Sequence, residues 1–530
     1  MRRRLFPGPG APAGAPAADS GISHPSPRRI LVVGGGAREH ALAWALARDA
    51  GVETVLAAPG SDAIAAERKV VCYPGVSATD AAAIVDLAKT QGVDLVAVGP
   101  EAPLEAGIAD ALVAASIAVF GPIRAAARIE WSKAFCREVA AAAGVRMARG
   151  RDFTALEPAL AYARQLAGAP AARGLVVKAD GLAAGKGVTV CDSFEGAEDA
   201  LRGLFAQLPH GTAVDRPVVV VEERLFGPEA SLIAICDEHA ALALPAARDH
   251  KRLLDADRGP NTGGMGAYSP VPDMPESLCA TLVDVIHVPV LAELARRGAP
   301  FRGALYAGLI LTPEGPVLLE FNARFGDPEA QVLLPRLAVP IGPLLLGAAR
   351  GELENAAAAL RLSGRTLPTT GDAAVAIVLA SAGYPENPRR GDAISGLDEA
   401  TRVGALVFHA GTISRPDGEF VTSGGRVLSV VGLGTSLASA RAHAERAADL
   451  VSWDGMQRRH DIAAKLPSGS RHGAGEGSPS PIATTDWGAE PGESPATSPG
   501  QRGATESTAP EAPTKAPGGP ATGPDRGGAS

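Results

Sequence analysis

Short apolar runs alternate with helix-length amphipathic stretches through the N-terminal part of the chain. The stretches 39–47 and 79–90 have helical character and lie between such runs. The runs themselves predict strands at residues 30–33, 54–57, 69–72, 94–98 and 117–120. Strands that are separated by helix-length segments are typical of βαβ units and a parallel sheet. This part of the chain is therefore predicted to be an α/β domain.

Two further groups of apolar runs follow. The second group predicts strands at residues 175–178, 187–190, 217–222, 231–236, 305–311 and 317–321. The third group predicts strands at residues 374–380, 406–410 and 426–432. A closing helix is expected after Thr435 and Ser436, a pair typical of helix starts. Apolar residues then recur near helical spacing at Leu437, Ala440, Ala444, Ala447 and Val451.

Both ends of the chain differ in composition from the part between them. Residues 1–28 are rich in Ala, Pro, Gly and Arg, and residues 466–530 in Pro, Gly, Ser, Thr and Ala. Such segments bury too little apolar surface to offset the entropy of ordering, so we expect both to be disordered. The remainder is expected to divide into domains at residues 29–130, 131–359 and 360–465.

Composition and charge exclude several classes of protein. The chain has 530 residues and a net charge of −8, which argues against a nucleic-acid binder, because phosphate contacts need a basic surface. Its 5 cysteines are scattered without a CxxC pair, so neither a disulfide framework nor a zinc site is expected. No apolar run approaches the roughly 18 residues that span a bilayer. We therefore expect a cytoplasmic protein with no nucleic-acid or membrane partner.

A glycine-rich turn directly follows the first predicted strand and opens the first predicted helix. Residues 33–40 read VGGGAREH. Glycines let a backbone approach an anion, and a helix N-terminus offers free N–H groups with a favourable dipole. The full GxGxxG spacing of a dinucleotide site is missing, and a tight turn alone would also explain the glycines. The polar cluster Arg38, Glu39 and His40 favours a phosphorylated substrate.

A lysine- and glycine-rich loop separates two predicted strands at residues 176–188, which read VVKADGLAAGKGV. Lys178 ends the first strand, and the loop contains Gly181, Gly185, Lys186 and Gly187. A flexible glycine loop can fold over a triphosphate, and lysines supply positive charge to it. The segment is not a P-loop, which would need a helix after the lysine. A solvated lysine loop is the alternative, and it would leave the flanking strands unexplained.

Paired glutamates end another predicted strand at residues 221–231, which read VEERLFGPEAS. Backbone groups in such a segment can hydrogen-bond an adenine edge, and Glu229 can reach ribose hydroxyls. In isolation, paired glutamates such as Glu222 and Glu223 at a strand end are more often part of a solvated rim. The nucleotide interpretation therefore depends on the neighbouring motifs.

A predicted strand carries polar residues at every second position in LLEFNARFGDPE, residues 318–329. Alternation places Glu320, Asn322 and Arg324 on one face and Phe321 on the other. Carboxylate and amide oxygens suit Mg²⁺, which takes few protein ligands and completes its octahedron with phosphate oxygens and water. Arg324 beside such an ion can stabilise charge on a transferring phosphoryl group. Without such a task, three polar side chains on one strand face would be costly to bury.

Basic residues followed by a glycine-dense loop predict a further substrate pocket. Residues 248–252 read RDHKR, and residues 259–269 read GPNTGGMGAYS. A mobile surface loop is the alternative that these residues alone leave open.

Together and in this order, these segments resemble the phosphoribosylamine–glycine ligase family, also called glycinamide ribonucleotide synthetases, of the ATP-grasp superfamily. The similarity extends from about residue 29 to residue 462. Its most specific pieces are GGGAREHAL, VGPEAPL, KADGLAAGKGV, DHKR, GPNTGGMGAYSP, EFNARFGDPE and VFHAGT. Several of these are peculiar to the family, so the similarity bears on the substrates as well as on the nucleotide.

The resemblance implies a pre-ATP-grasp N-terminal domain with a parallel sheet, a two-lobed ATP-grasp domain with its lid at about residues 150–222, and a small α+β C-terminal domain. It implies that ATP, glycine and 5-phosphoribosylamine give glycinamide ribonucleotide, ADP and phosphate through glycyl phosphate, in de novo purine biosynthesis. Mg²⁺ or Mn²⁺ would be the metal. We expect a monomer, as is common for small ligases of this kind.

The resemblance also implies roles for residues that match the family's motifs. ATP would be bound by Lys133, Lys178, Gly181, Gly185, Lys186, Gly187, Glu222, Glu223, Leu225 and Glu229. The metal would be bound by Glu320 and Asn322, and the catalytic residues would be Arg324, Asp327 and Lys178. The substrates would be placed by Arg38, Glu39, His40, Glu101, Asp249, His250, Lys251, Asn261, Thr262, Gly263 and Gly264.

Ala37 and Arg248 depart from the family's pattern, in which glycine and glutamine are common at these positions; either change could tune the sugar-phosphate site. Another ATP-grasp carboxylate–amine ligase would share the ATP and metal residues but need not carry DHKR and GPNTGGMGAYSP. An NAD-dependent dehydrogenase would leave the lysine loop and the EFNAR strand unused. A non-catalytic nucleotide-binding protein would be expected to lack Glu320, Asn322 or Lys178, and all are present.

Overall fold

A computed structural model of the chain describes residues 26–169, 173–181, 187–207 and 218–464. Most of the extension predicted at residues 1–28 lies outside these ranges, as does the tail predicted from residue 466 onward. Pro27 is buried, and Arg28 Nε donates to Glu53 Oε1 at 2.8 Å. The last residues of the predicted extension therefore pack against the N-terminal sheet.

The N-terminal region forms a parallel sheet in the order β3-β2-β1-β4-β5. Its elements are β1 Arg29–Gly34, α1 Ala37–Arg48, β2 Thr54–Pro59, α2 Asp62–Ala65, β3 Val70–Cys72, α3 Ala81–Thr90, β4 Leu95–Val98, α4 Glu101–Glu105, α5 Ile108–Ala114 and β5 Val119–Phe120. The inner strands are buried along nearly their whole length, as expected for a parallel sheet covered on both faces. The parallel α/β prediction is confirmed.

Helices α6 and α7 then lead into an antiparallel sheet in the order β6-β9-β7-β8. The elements of this part are α6 Arg124–Trp131, α7 Lys133–Ala142, β6 Gly150–Phe153, α8 Leu156–Ala167, β7 Leu175–Ala179, β8 Val188–Cys191, α9 Phe194–Gln207 and β9 Val219–Glu223. Helices α8 and α9 pack against each other and against the sheet around a separate apolar core. This small unit coincides with the region predicted as a lid.

The next region forms a second antiparallel sheet in the order β11-β10-β16-β17. Its elements are β10 Glu229–Cys236, β11 Ala241–Ala243, β12 Arg248–Asp249, β13 Arg252–Leu254, β14 Arg258–Asn261, β15 Gly266–Ser269, α10 Glu276–Leu282, α11 Val288–Arg296, β16 Gly303–Thr312, β17 Gly315–Asn322, α12 Glu329–Leu333, α13 Gly342–Arg350 and α14 Leu353–Ala359. Strands β13 and β14 pair only with each other among the described residues, as a short hairpin.

The C-terminal sheet combines strands from two parts of the chain in the order β12-β15-β18-β22-β19. Its remaining elements, with their neighbours, are β18 Ala373–Ala380, α15 Leu397–Arg402, β19 Leu406–His409, β20 Thr412–Ser414, β21 Phe420–Thr422, β22 Arg426–Gly434 and α16 Leu437–Ala448. Helix α16 begins where predicted, because Ser436 Oγ accepts a hydrogen bond from Ser439 N at 3.2 Å. Since β15 pairs with β18, the β13–β14 hairpin is joined directly to this sheet.

A β-bulge interrupts the register of β16 and β17. Gly308 pairs with Glu320 and Leu309 with Leu318, so Leu319 has no partner on the facing strand. The extra residue lets the buried Leu318 and Phe321 face the same core, although they lie three positions apart. Glu320 consequently points away from that core, into the cleft described below.

The helix from Glu276 to Arg296 is 21 residues long and reaches a mean hydropathy of 1.8. Among the residues that the structure describes, it alone is long and apolar enough to cross a membrane, so the expectation that no apolar run approaches this length is wrong. Half of its most apolar stretch is buried inside the protein, as in a core helix, which makes it a weak indication of a span. A π-helical turn at Val283–His287 precedes Pro289, whose ring cannot continue a regular α-helical ladder.

We expect the buried His287 to make the fold acid-sensitive. The side chain is fully buried, with Nε2 3.2 Å from the carbonyl oxygen of Leu305, and burial lowers the pKa of His287 to about 4. In the unfolded chain His287 takes up a proton near pH 6.5, whereas in the folded protein it does so only near pH 4. The contribution of His287 to the free energy of unfolding is therefore fully present above pH 6.5 and is lost as the pH falls towards 4. The loss amounts to on the order of 3 kcal/mol for this group.

His287→Gln tests this dependence, because glutamine can still donate to Leu305 but does not titrate. Its melting temperature should fall less between pH 7 and pH 5 than that of the wild type. The exposed His239→Gln should follow the wild type. Parallel curves for all three proteins would show that His287 does not cause the acid sensitivity.

Candidate active site

Side chains from both antiparallel sheets and from helix α7 line one narrow cleft. Lys178 on β7 and Glu222 on β9 form one wall, Glu320 on β17 forms the other, and Lys133 lies at the start of α7. Lys178 Nζ reaches across the cleft to within 3.4 Å of the carbonyl oxygen of Leu319. The structure thus brings together predicted nucleotide and metal residues from distant segments.

Glu222 holds two cations in this cleft. Its Oε2 lies 2.7 Å from Lys178 Nζ, and its Oε1 lies 2.6 Å from Arg137 NH1. All three side chains are largely buried, so the carboxylate compensates positive charge that would be costly to bury alone. Glu223 pairs outward with Arg149, with 2.8 Å between Oε2 and Nε. The backbone N–H groups of Glu223 and Arg224 are also engaged, with the carbonyl oxygens of Arg149 and Gly174, and Leu225 beside them is partly buried.

The base of the lysine loop is fixed to the start of α7. Asp180 accepts hydrogen bonds from the backbone N–H of Lys133 and from Ser132 Oγ, the latter at 3.0 Å. Lys133 Nζ donates to the carbonyl oxygen of Gly181 at 3.1 Å, and burial lowers the pKa of Lys133. Gly187, at the other end of the loop, accepts from the backbone of β7. Gly185 and Lys186 lie outside the described residues.

Glu320 and Asn322 form an arrangement that fits a hard divalent cation. The Glu320 carboxylate is partly buried and, within the described ranges, has no hydrogen bond or ion pair in the protein. Asn322 Oδ1 is 3.3 Å from Arg324 NH2 and keeps a second lone pair free. The described residues contain no group of three or more His, Cys, Asp or Glu side chains placed to hold a metal. Two oxygen ligands suit Mg²⁺, which completes its shell with phosphate oxygens and water.

Arg324 lies between carboxylates from two parts of the chain. Its guanidinium is 3.0 Å from Glu130 on α6 and 3.3 Å from Glu101 on α4. Burial alone would lower the pKa of Arg324, but the negative charges of Glu130 and Glu101 raise this pKa above its ordinary value. Arg324 therefore stays charged next to Asn322, and Glu101 joins the N-terminal sheet to the site.

Asp249 and Lys251 lie in a second group of charged side chains near β17. Lys251 Nζ is 2.6 Å from Glu229 Oε2. Burial raises the pKa of Asp249 to about 7, and the negative charges of Glu329 and Glu229 act in the same direction. The positive charge of Lys251 lowers this pKa but does not cancel the effect of burial. His250 is partly buried beside them, and its Nε2 has no hydrogen-bond partner among the described residues. In this structure Glu229, the predicted ribose ligand, is paired with Lys251.

The loop at residues 261–264 folds back on the strand before it. Thr262 Oγ1 donates to the carbonyl oxygen of Lys251 at 2.8 Å and accepts from Gly264 N at 3.0 Å. Gly264 has a φ of +111°, and a Cβ there would lie 2.5 Å from Pro328 Cδ, so this position requires glycine. The loop thus packs against the chain that follows the metal-site strand.

Asp327 is held by two side chains. Its Oδ1 accepts from Gln331 Nε2 at 2.6 Å, and its Oδ2 lies 2.9 Å from Arg426 NH2 on β22. Burial alone would raise the pKa of Asp327, but the positive charges of Arg426 and Arg38 bring this pKa below its ordinary value. Arg426 was not among the residues predicted from the sequence, since its only local signal is the pair of glycines before the strand.

The glycine-rich turn surrounds a buried ion pair. Arg38 Nε is 2.6 Å from Glu39 Oε1, and Glu39 Oε2 accepts from Gly36 N at 2.8 Å. Gly34 has a φ of +125°, and a Cβ there would lie 2.6 Å from Glu39 Cγ. Close packing over Glu39 therefore explains part of the glycine pattern. Arg38 NH1 is 4.0 Å from Glu101, which places this turn beside Arg324.

His40 connects the N-terminal helix to the C-terminal sheet. Its Nδ1 accepts a hydrogen bond from His409 N at 3.0 Å, and its Nε2 lies 3.5 Å from Glu67. The ring is buried, with Phe408 edge-on at 5.5 Å between ring centroids. Both ring nitrogens thus have partners within the protein, and the VFHAGT segment packs against the predicted substrate helix.

Two antiparallel sheets that close over a lysine-lined cleft, with a glutamate of β17 on the wall facing the lysines, define an ATP-grasp enzyme. The phosphoribosylglycinamide synthetase family matches almost all of the described chain: its N domain residues 28–130, its ATP-grasp (A) domain residues 131–330 and its C domain residues 374–465. The chain belongs to this family. It therefore has the family's three-domain architecture and is an ATP-using carbon–nitrogen ligase.

Known relatives agree with this assignment. A phosphoribosylamine–glycine ligase of Streptomyces coelicolor is 48% identical over 82% of this chain and 99% of its own length. One of Vibrio parahaemolyticus is 43% identical over 82% and 97%. The crystal structure of the phosphoribosylamine–glycine ligase of Thermotoga maritima superposes with a TM-score of 0.67 at 31% identity, covering 82% of this chain and all of that one.

A more distant structure shares the fold alone. The biotin carboxylase domain of Hydrogenobacter thermophilus 2-oxoglutarate carboxylase, solved with MgADP and bicarbonate, has a TM-score of 0.60 at 16% identity. It covers 82% of this chain and 92% of its own.

Proposed function

We propose that the chain joins glycine to 5-phosphoribosylamine through a glycyl phosphate intermediate, in the cleft between its two antiparallel sheets. The observation that carries the proposal is the pairing of Lys178 with Glu222 on one wall, opposite the Glu320 carboxylate, which has no hydrogen bond or ion pair among the described residues. A cation for phosphate oxygens and a ligand for a metal thus face the same narrow space. The ligase function of the family supplies the substrates.

The chemistry requires an activated carboxylate. A glycine carboxylate oxygen attacks the γ-phosphorus of ATP, the bond to the bridging oxygen breaks, and ADP leaves. The amine of phosphoribosylamine then attacks the acyl carbon, the carbon–oxygen bond to phosphate breaks, and the nitrogen loses a proton. Water would hydrolyse the acyl phosphate, so the site must be enclosed during both steps. The lid sheet would serve that task together with the predicted glycine loop, of which residues 182–186 lie outside the described ranges.

Lys178 and Lys133 would contact the phosphates of ATP, together with the glycine loop that Asp180 anchors. The backbone from Glu223 to Leu225 would frame the adenine ring, and Glu222 would act by holding Lys178 in place. Glu229 would reach the ribose after giving up its pairing with Lys251. Desolvated lysines in a narrow cleft interact strongly with phosphate charge, because the local dielectric constant is low.

Glu320 and Asn322 would hold Mg²⁺ or Mn²⁺, with Mg²⁺ preferred by the oxygen-only ligand set. The metal would neutralise charge on the β- and γ-phosphates during transfer. The neighbouring Arg324 would stabilise charge on the acyl phosphate, because Glu130 and Glu101 fix its orientation. These two carboxylates also offset the cost of burying the guanidinium.

The remaining predicted residues would surround the bound substrates. Asp327, Asp249, His250, Lys251 and the loop at residues 261–264 would place glycine and the sugar phosphate. Arg38 and Glu101 would approach them from the N-terminal sheet. Glu39 and His40 would act by positioning, since their polar atoms already have partners within the protein.

We also propose a monomer that acts in the cytoplasm without a nucleic-acid or membrane partner, and domain limits at residues 29–130, 131–359 and 360–465. The monomer can be checked by light scattering at the enzyme concentration used for assays.

Omission of single substrates tests the proposed reaction. Purified protein with Mg²⁺, ATP, glycine and freshly generated phosphoribosylamine should release ADP, and omitting glycine or the amine should stop the release. If another amine or another carboxylate is required instead, the chain is a different ATP-grasp carboxylate–amine ligase. ADP release that needs neither substrate would contradict coupled ligation.

A further inference from the structure

Arg426, the first residue of β22, reaches from the C-terminal sheet to the substrate side of the cleft. Its NH2 lies 2.9 Å from Asp327 Oδ2, and its NH1 donates to the carbonyl oxygen of Asp327 at 2.7 Å and to that of Gly263. A single guanidinium therefore ties together two segments that are separate in sequence. Both segments belong to the proposed substrate site.

The contacts of Arg426 leave little freedom to either segment. The other carboxylate oxygen of Asp327 accepts from Gln331, so the side chain is held from both sides. A Cβ on Gly263 would lie 3.0 Å from Arg426 Cζ, which shows how closely the loop packs on the guanidinium. The loop is also held from its other side, because Gly263 N donates a hydrogen bond to Tyr384 Oη at 3.1 Å.

A second arginine of the C-terminal region holds the hairpin that leads into this loop. Arg459 is fully buried, and its NH1 lies 2.7 Å from Asp257 and 3.1 Å from the carbonyl oxygen of Arg252. Ala256 and Asp257 have φ values of +58° and +52°, a left-handed conformation that non-glycine residues adopt only when their surroundings hold it. Asp461 adds a hydrogen bond from Ala256 N at 2.8 Å. The C-terminal region thus holds the β13–β14 hairpin both at the start of β13 and at the turn between its strands.

We propose that Arg426 is a positioning residue of the ligase, through which the C-terminal domain orders Asp327 and the loop at residues 261–264 for the bound substrates. This rests on the proposed function of that site. Arg426 contacts neither Lys178 nor Glu320 among the described interactions, so its loss should weaken the use of glycine and phosphoribosylamine and leave ATP binding intact. A domain that only added stability would not produce this separation.

Arg426→Gln, compared with Arg389→Gln, tests the proposal. Arg389 is also a C-terminal arginine paired with aspartates, at 2.9 Å from Asp392 and 2.7 Å from Asp454, but it lies on the surface. Because a misplaced substrate loop costs up to about a hundredfold, we expect kcat/KM for phosphoribosylamine or glycine to fall at least about tenfold in Arg426→Gln. The dissociation constant of a non-hydrolysable ATP analogue should change less than about twofold, and Arg389→Gln should match the wild type in both.

Two further variants separate positioning from folding. Arg426→Lys should recover part of the lost kcat/KM, because lysine keeps the charge but its single nitrogen cannot reproduce the planar geometry in which two guanidinium nitrogens contact the three oxygens. Adding Asp327→Asn to Arg426→Gln should cost less than the product of the two single effects, because the residues act as a unit. Wild-type kinetics in Arg426→Gln, or a parallel loss of ATP-analogue binding and melting temperature in both Arg426 variants, would overturn the proposal. A wild-type enzyme that does not use these substrates would instead overturn the proposed function.

Discussion

Glu320→Gln is expected to lower kcat for ADP formation by about three orders of magnitude, or on the order of 4 kcal/mol of transition-state stabilisation. The substitution keeps the size of the side chain and removes the charge of the carboxylate that has no protein partner among the described residues. Two neutral amide oxygens would then remain to hold the metal, so higher Mg²⁺ should be needed for the residual activity. The measurement is the Mg²⁺ dependence of kcat in the variant and the wild type.

Glu314→Gln provides the matched control for this variant. Glu314 lies in the exposed turn between β16 and β17. The substitution therefore removes a carboxylate from the same pair of strands without changing the cleft. It should leave kcat and the Mg²⁺ dependence unchanged. A Glu320→Gln enzyme with normal kcat at low Mg²⁺ would show that the metal site lies elsewhere.

Lys178→Met is expected to lower kcat/KM for ATP by about two to three orders of magnitude, on the order of 3–4 kcal/mol. The charge that faces the phosphates is lost, and Glu222 keeps only Arg137 as a partner. An exposed lysine on α3 gives the control, because Lys89→Met removes the same charge far from the cleft. The quantity to measure is the initial rate of ADP formation as a function of ATP.

Lys178→Met should bind ATP less tightly, whereas Lys89→Met should keep the wild-type affinity for both ATP and glycine. In Lys178→Met, the KM for ATP should rise while that for glycine changes little. Equal losses for Lys178→Met and Lys89→Met would mean that net charge, rather than this position, governs the rate. A large loss in kcat with an unchanged KM for ATP would assign Lys178 to the transition state alone.

The sequence predicted the fold best where secondary structure follows from local pattern. The βαβ alternation of the N-terminal sheet and the Ser436 cap of α16 are both local signals, and both are present. The strands β12 to β15 were missed because they are short and interrupted by glycines, and because their pairing with β18 is set by tertiary contacts. The helix from Glu276 to Arg296 was missed although its buried apolar residues recur at helical spacing, because Pro289 and the many β-branched residues around it lower the local helix propensity.

The site was predictable to the extent that one segment carries each function. Glu320 and Asn322 share a strand and their common orientation follows from regular alternation, whereas the bulge at Leu319, which turns this face away from the core, could not be predicted. Ion-pair partners are set by the tertiary fold, so the pairing of Glu222 with Lys178 and of Glu229 with Lys251 could not be read from the chain. Arg426 is 99 positions from Asp327 in sequence, and only the structure shows them in contact.

The most direct test of the account is to follow oxygen from glycine into phosphate. Glycine labelled with ¹⁸O in its carboxylate should be incubated with the wild-type enzyme, ATP, Mg²⁺ and phosphoribosylamine, and the inorganic phosphate analysed by mass spectrometry. Activation as glycyl phosphate predicts that one ¹⁸O atom is transferred to each phosphate released. Phosphate without ¹⁸O, formed together with the amide product, would contradict carboxylate phosphorylation in this cleft.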